Sequence, residues 1–234
     1  MSSPQFPPLF TGMATAGADP LAAACAEAGR GCDAGLVTWD IRPERLRAAV
    51  VFAPEVSLAE AMVMLPICGV GFQNALGALA PPEVSVHLDW SGTIRVNGAR
   101  CGALTPVASS KDASEVPDWL VIGLDLTFSD GTEETGLTPD VTSLSAEGCA
   151  ETDPRDLLEA WVRHTLVWIN RWMDEGLRPV HREWEGIVHG LNEDTRRGGH
   201  TGTFLGVDEG FGMLLQNEGR TSIIPMTDTL QDIP

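Results

Sequence analysis

Lysine and tyrosine are almost missing from this sequence, and basic residues are few altogether. Lys111 is the one lysine and there is no tyrosine, while 33 acidic residues outnumber 15 basic ones and give a formal net charge of −18. Such a surface repels a phosphate backbone. We therefore expect no nucleic-acid partner, and any chemistry that needs a lysine has a single candidate.

The cysteines are too few and too scattered for a disulfide framework or a zinc site. There are five, an odd number, and no two have the C-x-x-C spacing. Free thiols of this kind are typical of a reducing compartment. The first residues contain no basic region, and no uninterrupted apolar run reaches the roughly 18 residues of a membrane span. We therefore expect a cytoplasmic protein without membrane contact.

Metal ligands are equally sparse. His87 and Asp89 lie two residues apart, on one face of a predicted strand. Two ligands without a third do not make a metal site. The sequence therefore predicts no bound metal.

What the chain does have is 43% hydrophobic residues in clear helix and strand patterns. Capping residues, turns and apolar spacing predict helices over residues 19–29, 57–80 and 153–176, with a kink at Pro66 in the second. Period-two alternation over residues 84–98, and short apolar runs elsewhere, predict strands that form a sheet of about five. The predicted strands are residues 35–39, 46–54, 84–90, 93–98, 99–108 and 119–128, the last of them central because it is almost wholly apolar.

Glycine and short strands dominate the chain after residue 180. The stretches TGTFLGVD, GMLLQ and TSIIPM are separated by the turn signals DEG and NEG. They predict a small β-barrel packed on a larger domain, with domains at residues 1–180 and 181–234. The expected fold class is α+β, a mixed and largely antiparallel sheet flanked by helices, plus this barrel.

Four stretches carry a resemblance to a known family. HLDWSGTIRVNGARCGAL at residues 87–104 looks like the Lys-Trp-Pro-Asn-Asp hairpin and following strand of biotin protein ligases. Residues 118–126 are similar to that family's central strand, and residues 141–144 to its Ala-Thr-Ser-Leu segment. Residues 202–226 look like its C-terminal SH3-like barrel. The chain thus resembles the biotin/lipoate protein ligase superfamily over nearly its whole length.

The resemblance implies a particular chemistry. Such ligases use ATP and Mg²⁺ to convert biotin or lipoate to an acyl-adenylate, and pass the acid to a lysine of a carrier protein domain. Their glycine- and arginine-rich loop is replaced here by residues 40–47, DIRPERLR, which contain no glycine. Arg42, Arg45 and Arg47 are therefore the candidates for phosphate contact, and Arg100 stands at the position of the active-site lysine.

Other candidate ligand-binding residues carry both agreement and conflict with the family. Trp90, Gly102 and Gly123 match residues that shape the acid pocket. Asp89 replaces the first lysine of the hairpin motif, and Asp125 replaces the second glycine of the central strand. Carboxylates at these two positions are expected to repel an acidic ligand.

Three functional hypotheses follow. The first is a ligase that activates a biotin-, lipoate- or fatty-acid-type acid through Arg100. The second is an acyltransferase that carries a thioester on Cys101, whose thiolate the neighbouring Arg100 would favour. The third is a non-catalytic member that binds a small acid or a protein partner. A homodimer is compatible with all three.

Overall fold

The chain folds into a seven-stranded sheet with helices on both faces and a small C-terminal sheet. A computed structural model describes residues 3–129, 140–197 and 199–234. The helices are α1 (Pro20–Gly29), α2 (Leu58–Ala61), α3 (Met64–Leu79), α4 (Pro154–Glu175) and α5 (Arg178–Ile187). The strands are β1 (Thr11–Ala14), β2 (Leu36–Ile41), β3 (Arg45–Phe52), β4 (Val86–Leu88), β5 (Thr93–Val96), β6 (Ala99–Ala108), β7 (Leu120–Thr127), β8 (Asp194–Arg197), β9 (His200–Val207), β10 (Met213–Asn217) and β11 (Arg220–Ile224).

The large sheet has the strand order β1-β2-β3-β7-β6-β5-β4. Only β1 pairs in parallel, with β2, and all other neighbours are antiparallel. The predicted α+β class is thereby confirmed, and β7 is central as expected. The expectation of about five strands was too low. It missed β1, since the four residues TGMA have no alternation and are ordered by pairing with β2.

Capping residues begin and end the helices as predicted. The Asp19 carboxylate accepts a hydrogen bond from the backbone N–H of Ala22 at the start of α1, and the Asp153 carboxylate accepts one from Arg155 at the start of α4. Gly176 ends α4 with a φ of +77°. Helix α1 covers one face of the large sheet, and α3 and α4 cover the other.

The second predicted helix is interrupted one turn earlier than expected. The break between α2 and α3 lies at Met62 and Val63, and Pro66 is inside the first turn of α3. A proline ring clashes with the carbonyl group four residues before it, here that of Met62, so the helix breaks before the proline. The stretch Leu58–Leu79 is long and apolar enough to cross a membrane, yet 72% of its most apolar window is buried in the protein. That burial is typical of a core helix.

The C-terminal sheet has four antiparallel strands in the order β11-β10-β9-β8, in agreement with the predicted small β-domain. The sequence predicted three strands and missed β8, whose residues DTRR are polar throughout. It also missed α5, which runs across the predicted boundary at residue 180, so that this division stays a prediction. Phe204, Phe211 and Met213 belong to the same hydrophobic core as Trp161 and Phe72 of the large domain.

Candidate functional site

A cavity of about 180 Å³ lies between the large sheet and the first turn of α1. Arg47 of β3 is paired with Asp125 of β7, and Thr105 of β6 with Gly123, so these side chains share the face that carries α1. A Cβ atom at Gly123 would lie 3.1 Å from Leu21 Cδ1. The glycine therefore leaves space that any other residue would take.

Of the three arginines in residues 42–47, Arg47 lines this cavity, and each of the three is bound by a carboxylate of the chain. Asp40 accepts hydrogen bonds of 2.8 Å from Arg42 and from Arg47. Arg45 donates two hydrogen bonds of 2.5 Å to Asp125. The sequence predicted these arginines as phosphate contacts, and it did not foresee that carboxylates of the chain engage them.

Asp40 is the centre of this cluster. Its side chain is 9% exposed. The hydrogen bond from Arg47, followed by that from Arg42, holds the pKa of the Asp40 carboxyl below its usual value. The carboxylate is therefore charged at neutral pH and occupies both guanidinium groups.

ATP and Mg²⁺ do not fit these residues in the way that the resemblance implies. Only residues 42–44 connect β2 and β3, and the backbone N–H of Arg42 donates to the carbonyl of Arg45 across that turn. A turn of three residues without glycine offers no row of free backbone N–H groups for phosphates. Each of the three arginines is already paired with a carboxylate, since Asp40 engages two of them and Asp125 the third.

A second cavity, of about 400 Å³, also borders Thr105. Its lining includes Trp90 and Ser91 from the turn before β5, and Arg197 and Asp228 from the C-terminal domain. We call the two cavities together the cleft, with an inner cavity beneath α1 and an outer cavity against the C-terminal domain. Thr105 is the lining residue that the two cavities share.

Asp89 and Trp90 lie at the junction of the two domains, apart from the arginines of residues 42–47. The carboxylate of Asp89 accepts hydrogen bonds from Arg95 at 2.8 and 3.3 Å and lies 3.3 Å from His189 Nδ1. The indole N–H of Trp90 donates to the carbonyl of Phe211 at 2.7 Å. Trp90 therefore both lines the outer cavity and joins the domains, whereas Asp89 orders the junction.

Arg100 and Gly102 lie on β6 without lining either cavity. Arg100 is exposed, and within the described part of the chain its side chain has no ion pair or hydrogen bond. A Cβ atom at Gly102 would lie 2.4 Å from the carbonyl oxygen of Asp125. Gly102 is thus required for the close approach of β6 and β7.

Cys101 does not have the properties of a nucleophile. It is 2% exposed, and its thiol donates to the carbonyl of Thr127 at 3.4 Å. Burial is the main cause that raises the pKa of the Cys101 thiol to about 12, and electrostatic repulsion by Cys149 and Glu147 adds to it. Arg100 does not lower this pKa as expected, and the thiol is protonated at neutral pH.

Thr105, Leu21 and Arg197 are cleft residues that the sequence reasoning missed. Thr105 follows the hairpin motif by one strand length, and Leu21 looks like an ordinary helix residue. Arg197 lies in a polar strand of the other domain. Thr105 is the direct partner of Gly123 in the register of β6 and β7, which the sequence does not reveal. No sequence signal pointed to the other two.

Another cavity, of about 410 Å³, lies near the ends of α2 and α4. Its lining includes Trp172, Phe211 and Ile223, with Glu60 and Asp208 as charged members and no basic residue. An acid would find no cation there. Across the described residues, no three His, Cys, Asp or Glu side chains are grouped to hold a metal ion.

Two family models match the chain. The model of the biotin/lipoate A/B protein ligase family matches residues 6–186, and a domain of unknown function (DUF4444) matches residues 191–232. No protein with a curated functional description matches the chain.

Solved structures resemble the chain over almost all of its length. A biotin protein ligase-like protein of unknown function from Silicibacter sp. TM1040 is 56% identical, with coverage of 98% of this chain and 100% of that chain and a TM-score of 0.93. Biotin protein ligase from Aquifex aeolicus in complex with biotin and ATP is 14% identical, with coverage of 86% and 90% and a TM-score of 0.67. Biotin protein ligase from Leishmania major in complex with biotin is 16% identical, with coverage of 93% and 98% and a TM-score of 0.58. The last two likenesses concern the fold alone.

Proposed function

Since this chain belongs to the biotin/lipoate A/B protein ligase family, we propose that it binds a biotin-, lipoate- or fatty-acid-type carboxylic acid in the cleft and forms no acyl-adenylate from it. The observation that carries the proposal is the pairing of Arg42, Arg45 and Arg47 with Asp40 and Asp125. The cleft itself remains, with Gly123 and Thr105 beside Leu21.

The electrostatic cost of binding a nucleotide supports the proposal that no acyl-adenylate is formed. A triphosphate beside β3 would have to displace Asp40 and Asp125 from their arginines or be accommodated next to these carboxylates. An uncompensated carboxylate in a partly buried site costs several times the value of one neutral hydrogen bond. A small acid carries one charge and has no need of the arginine cluster.

A ligase remains the second candidate because of Arg100. It stands at the position of the family lysine and, among the described residues, is unpaired and exposed. A free cation of this kind can stabilise charge that develops on a phosphate. In that case the acceptor would be a carrier protein domain, although the net charge of −18 slows the approach of an acidic partner.

The cysteine-dependent acyltransferase has the least support. The Cys101 thiol is buried and its pKa is raised to about 12. A thiolate would have to form against both effects.

Two measurements on the purified full-length protein separate these functions. Thermal unfolding is followed with biotin, lipoate or octanoate, each with and without ATP and Mg²⁺, and exchange of pyrophosphate into ATP is assayed with the same acids. An acid present at a hundred times its Kd stabilises the fold by about 2.7 kcal/mol, which raises Tm by roughly 5–10 °C in a chain of this size.

Stabilisation by an acid, unchanged by ATP and without pyrophosphate exchange, is the expected result. Exchange that is lost in Arg100→Ala but kept in Arg220→Ala, another arginine at an exposed strand position, would replace the proposal by the ligase. No stabilisation by any of the three acids would overturn it.

A further inference from the structure

The two ends of the cleft differ in charge. The inner cavity is bordered by the carboxylates of Asp19 and Asp125, and its one arginine, Arg47, is already hydrogen-bonded to Asp40. A ligand carboxylate placed there would have to compete with these carboxylates for arginines that are already paired. The inner cavity therefore suits the uncharged ring or chain of an acid, beside Leu21 and Gly123.

The outer cavity has the opposite arrangement. Arg197 is its one basic lining residue, and the hydroxyl-bearing residues Ser91 and Thr105 also border it. Asp228 is its one acidic lining residue, is exposed on the 3₁₀ helix Met226–Thr229 and forms no ion pair with Arg197.

Arg197 is held near the cavity by one long ion pair. Its nearest carboxylate oxygen belongs to Asp89, at 3.7 Å, which is beyond hydrogen-bond distance. That carboxylate already accepts two hydrogen bonds from Arg95. The side chain of Arg197 is 39% exposed, so its guanidinium N–H groups are accessible to a ligand. Glu193 and Asp194 border a separate polar cavity that Arg197 also lines.

We propose that Arg197, a residue of the C-terminal domain, binds the carboxylate of the acid. This inference rests on the proposed function. The hydroxyl groups of Ser91 and Thr105 supply further hydrogen-bond donors, and the ring or chain of the acid extends past Thr105 into the inner cavity. The acid site is therefore completed by β8, and the C-terminal domain takes part in ligand recognition.

The test compares each acid with its uncharged amide. Binding of biotin, lipoate and octanoate, and of biotinamide, lipoamide and octanamide, is measured by calorimetry on the full-length chain and on Arg197→Gln. The unaltered protein is expected to prefer the acids. Loss of one charge-assisted hydrogen bond lowers affinity about 10- to 100-fold, so Arg197→Gln should bind the acids that much more weakly and the amides as before.

Matched variants separate charge from folding. Arg196→Gln makes the same change at the neighbouring exposed position of β8, outside the cleft, and should keep full acid affinity. Arg197→Lys should recover part of it. Because the ratio of acid to amide affinity is taken within one variant, a partly unfolded population does not alter it.

The failure of this inference differs from the failure of the proposed function. If the unaltered protein binds none of the acids, the proposed function is wrong. If it binds them and Arg197→Gln keeps the same ratio of acid to amide affinity, the acid binds elsewhere in the cleft and the role of Arg197 is refuted.

Discussion

Asp40 is the residue on which the arginine cluster depends. It is 8% exposed and joins Arg42 and Arg47, while Asp19 lies 4.0 Å from Arg47 on the opposite side. This one carboxylate thus engages two of the three arginines in residues 42–47. Its own preference for the charged form is visible in its lowered pKa.

Asp40→Asn should lower the free energy of unfolding by about 1–3 kcal/mol at neutral pH, because two hydrogen bonds to a charged group are weakened. The Asp40 pKa is lowered in the folded state. Its contribution is therefore complete above the unfolded pKa, near 4, and is lost as pH falls through the folded pKa. Urea denaturation at pH 7 and at pH 3 should show a large difference from the unaltered protein that narrows in acid.

Asp33→Asn is the control for that measurement, since Asp33 is an exposed carboxylate. It should change the free energy of unfolding by a few tenths of a kcal/mol. Equal effects of the two substitutions, or a difference at Asp40 that does not depend on pH, would contradict the account of the cluster.

Strands β6 and β7 approach each other closely through glycines with different functions. At Gly102 the space for a Cβ atom is taken by a backbone carbonyl, 2.4 Å away, whereas at Gly123 it is bounded by the side chain of Leu21 at 3.1 Å. Backbone of a central strand cannot move aside, but a leucine side chain can turn. Gly102 therefore allows the two strands to pair, and Gly123 keeps the inner cavity open.

Gly102→Ala is expected to destabilise the fold by about 1–3 kcal/mol through overpacking. Gly123→Ala should cost less stability but turn Leu21 into the inner cavity, so that acid affinity falls several-fold. Urea denaturation and calorimetric titration with the best-bound acid measure the two effects. Gly186→Ala, on α5 with open space around it, is the control for both. Unchanged acid affinity in Gly123→Ala would exclude the inner cavity as the ligand site.

Elements with strong local signals were predictable from the sequence, and elements ordered by distant partners were not. The helix over residues 153–176 and the strand β7 follow from caps and apolar composition. β1 and β8 are short and have no apolar alternation, so only their pairing with β2 and β9 reveals them. α2 and α3 could be predicted as helix, but the position of the break between them depends on the clash of Pro66 with the carbonyl group of Met62.

The site shows the same division. The segment of residues 40–47 could be singled out as the departure from the family's loop, because the missing glycines are a local property. The pairing of Arg45 with Asp125, 80 residues away, requires the β3 and β7 register. Arg197 comes from another domain, and nothing in its strand DTRR indicates a ligand. Sequence reasoning therefore named the arginines of residues 42–47 but not their pairing with Asp40 and Asp125.

On the scale of the whole molecule, the two domains share one core and one polar junction. Phe204, Phe211 and Met213 of the C-terminal sheet pack within the core of the large domain. Beside them, Asp89 lies within 4 Å of Arg95, His189 and Arg197. We therefore expect the domains to unfold together, which keeps Arg197 in a fixed position relative to the outer cavity.

Trp90→Phe tests whether the two domains unfold together, because it removes the hydrogen bond to the Phe211 carbonyl while keeping an aromatic ring in the junction. A buried carbonyl left without a donor costs about 1–3 kcal/mol, so Tm should fall in a single transition seen alike by far-ultraviolet circular dichroism and tryptophan fluorescence. Trp119→Phe, a change at an equally buried indole that packs under α1, controls for lost ring area. Two separate transitions in the unaltered protein would mean that the C-terminal sheet unfolds on its own, and a site that depends on Arg197 would then be weakened before the large domain melts.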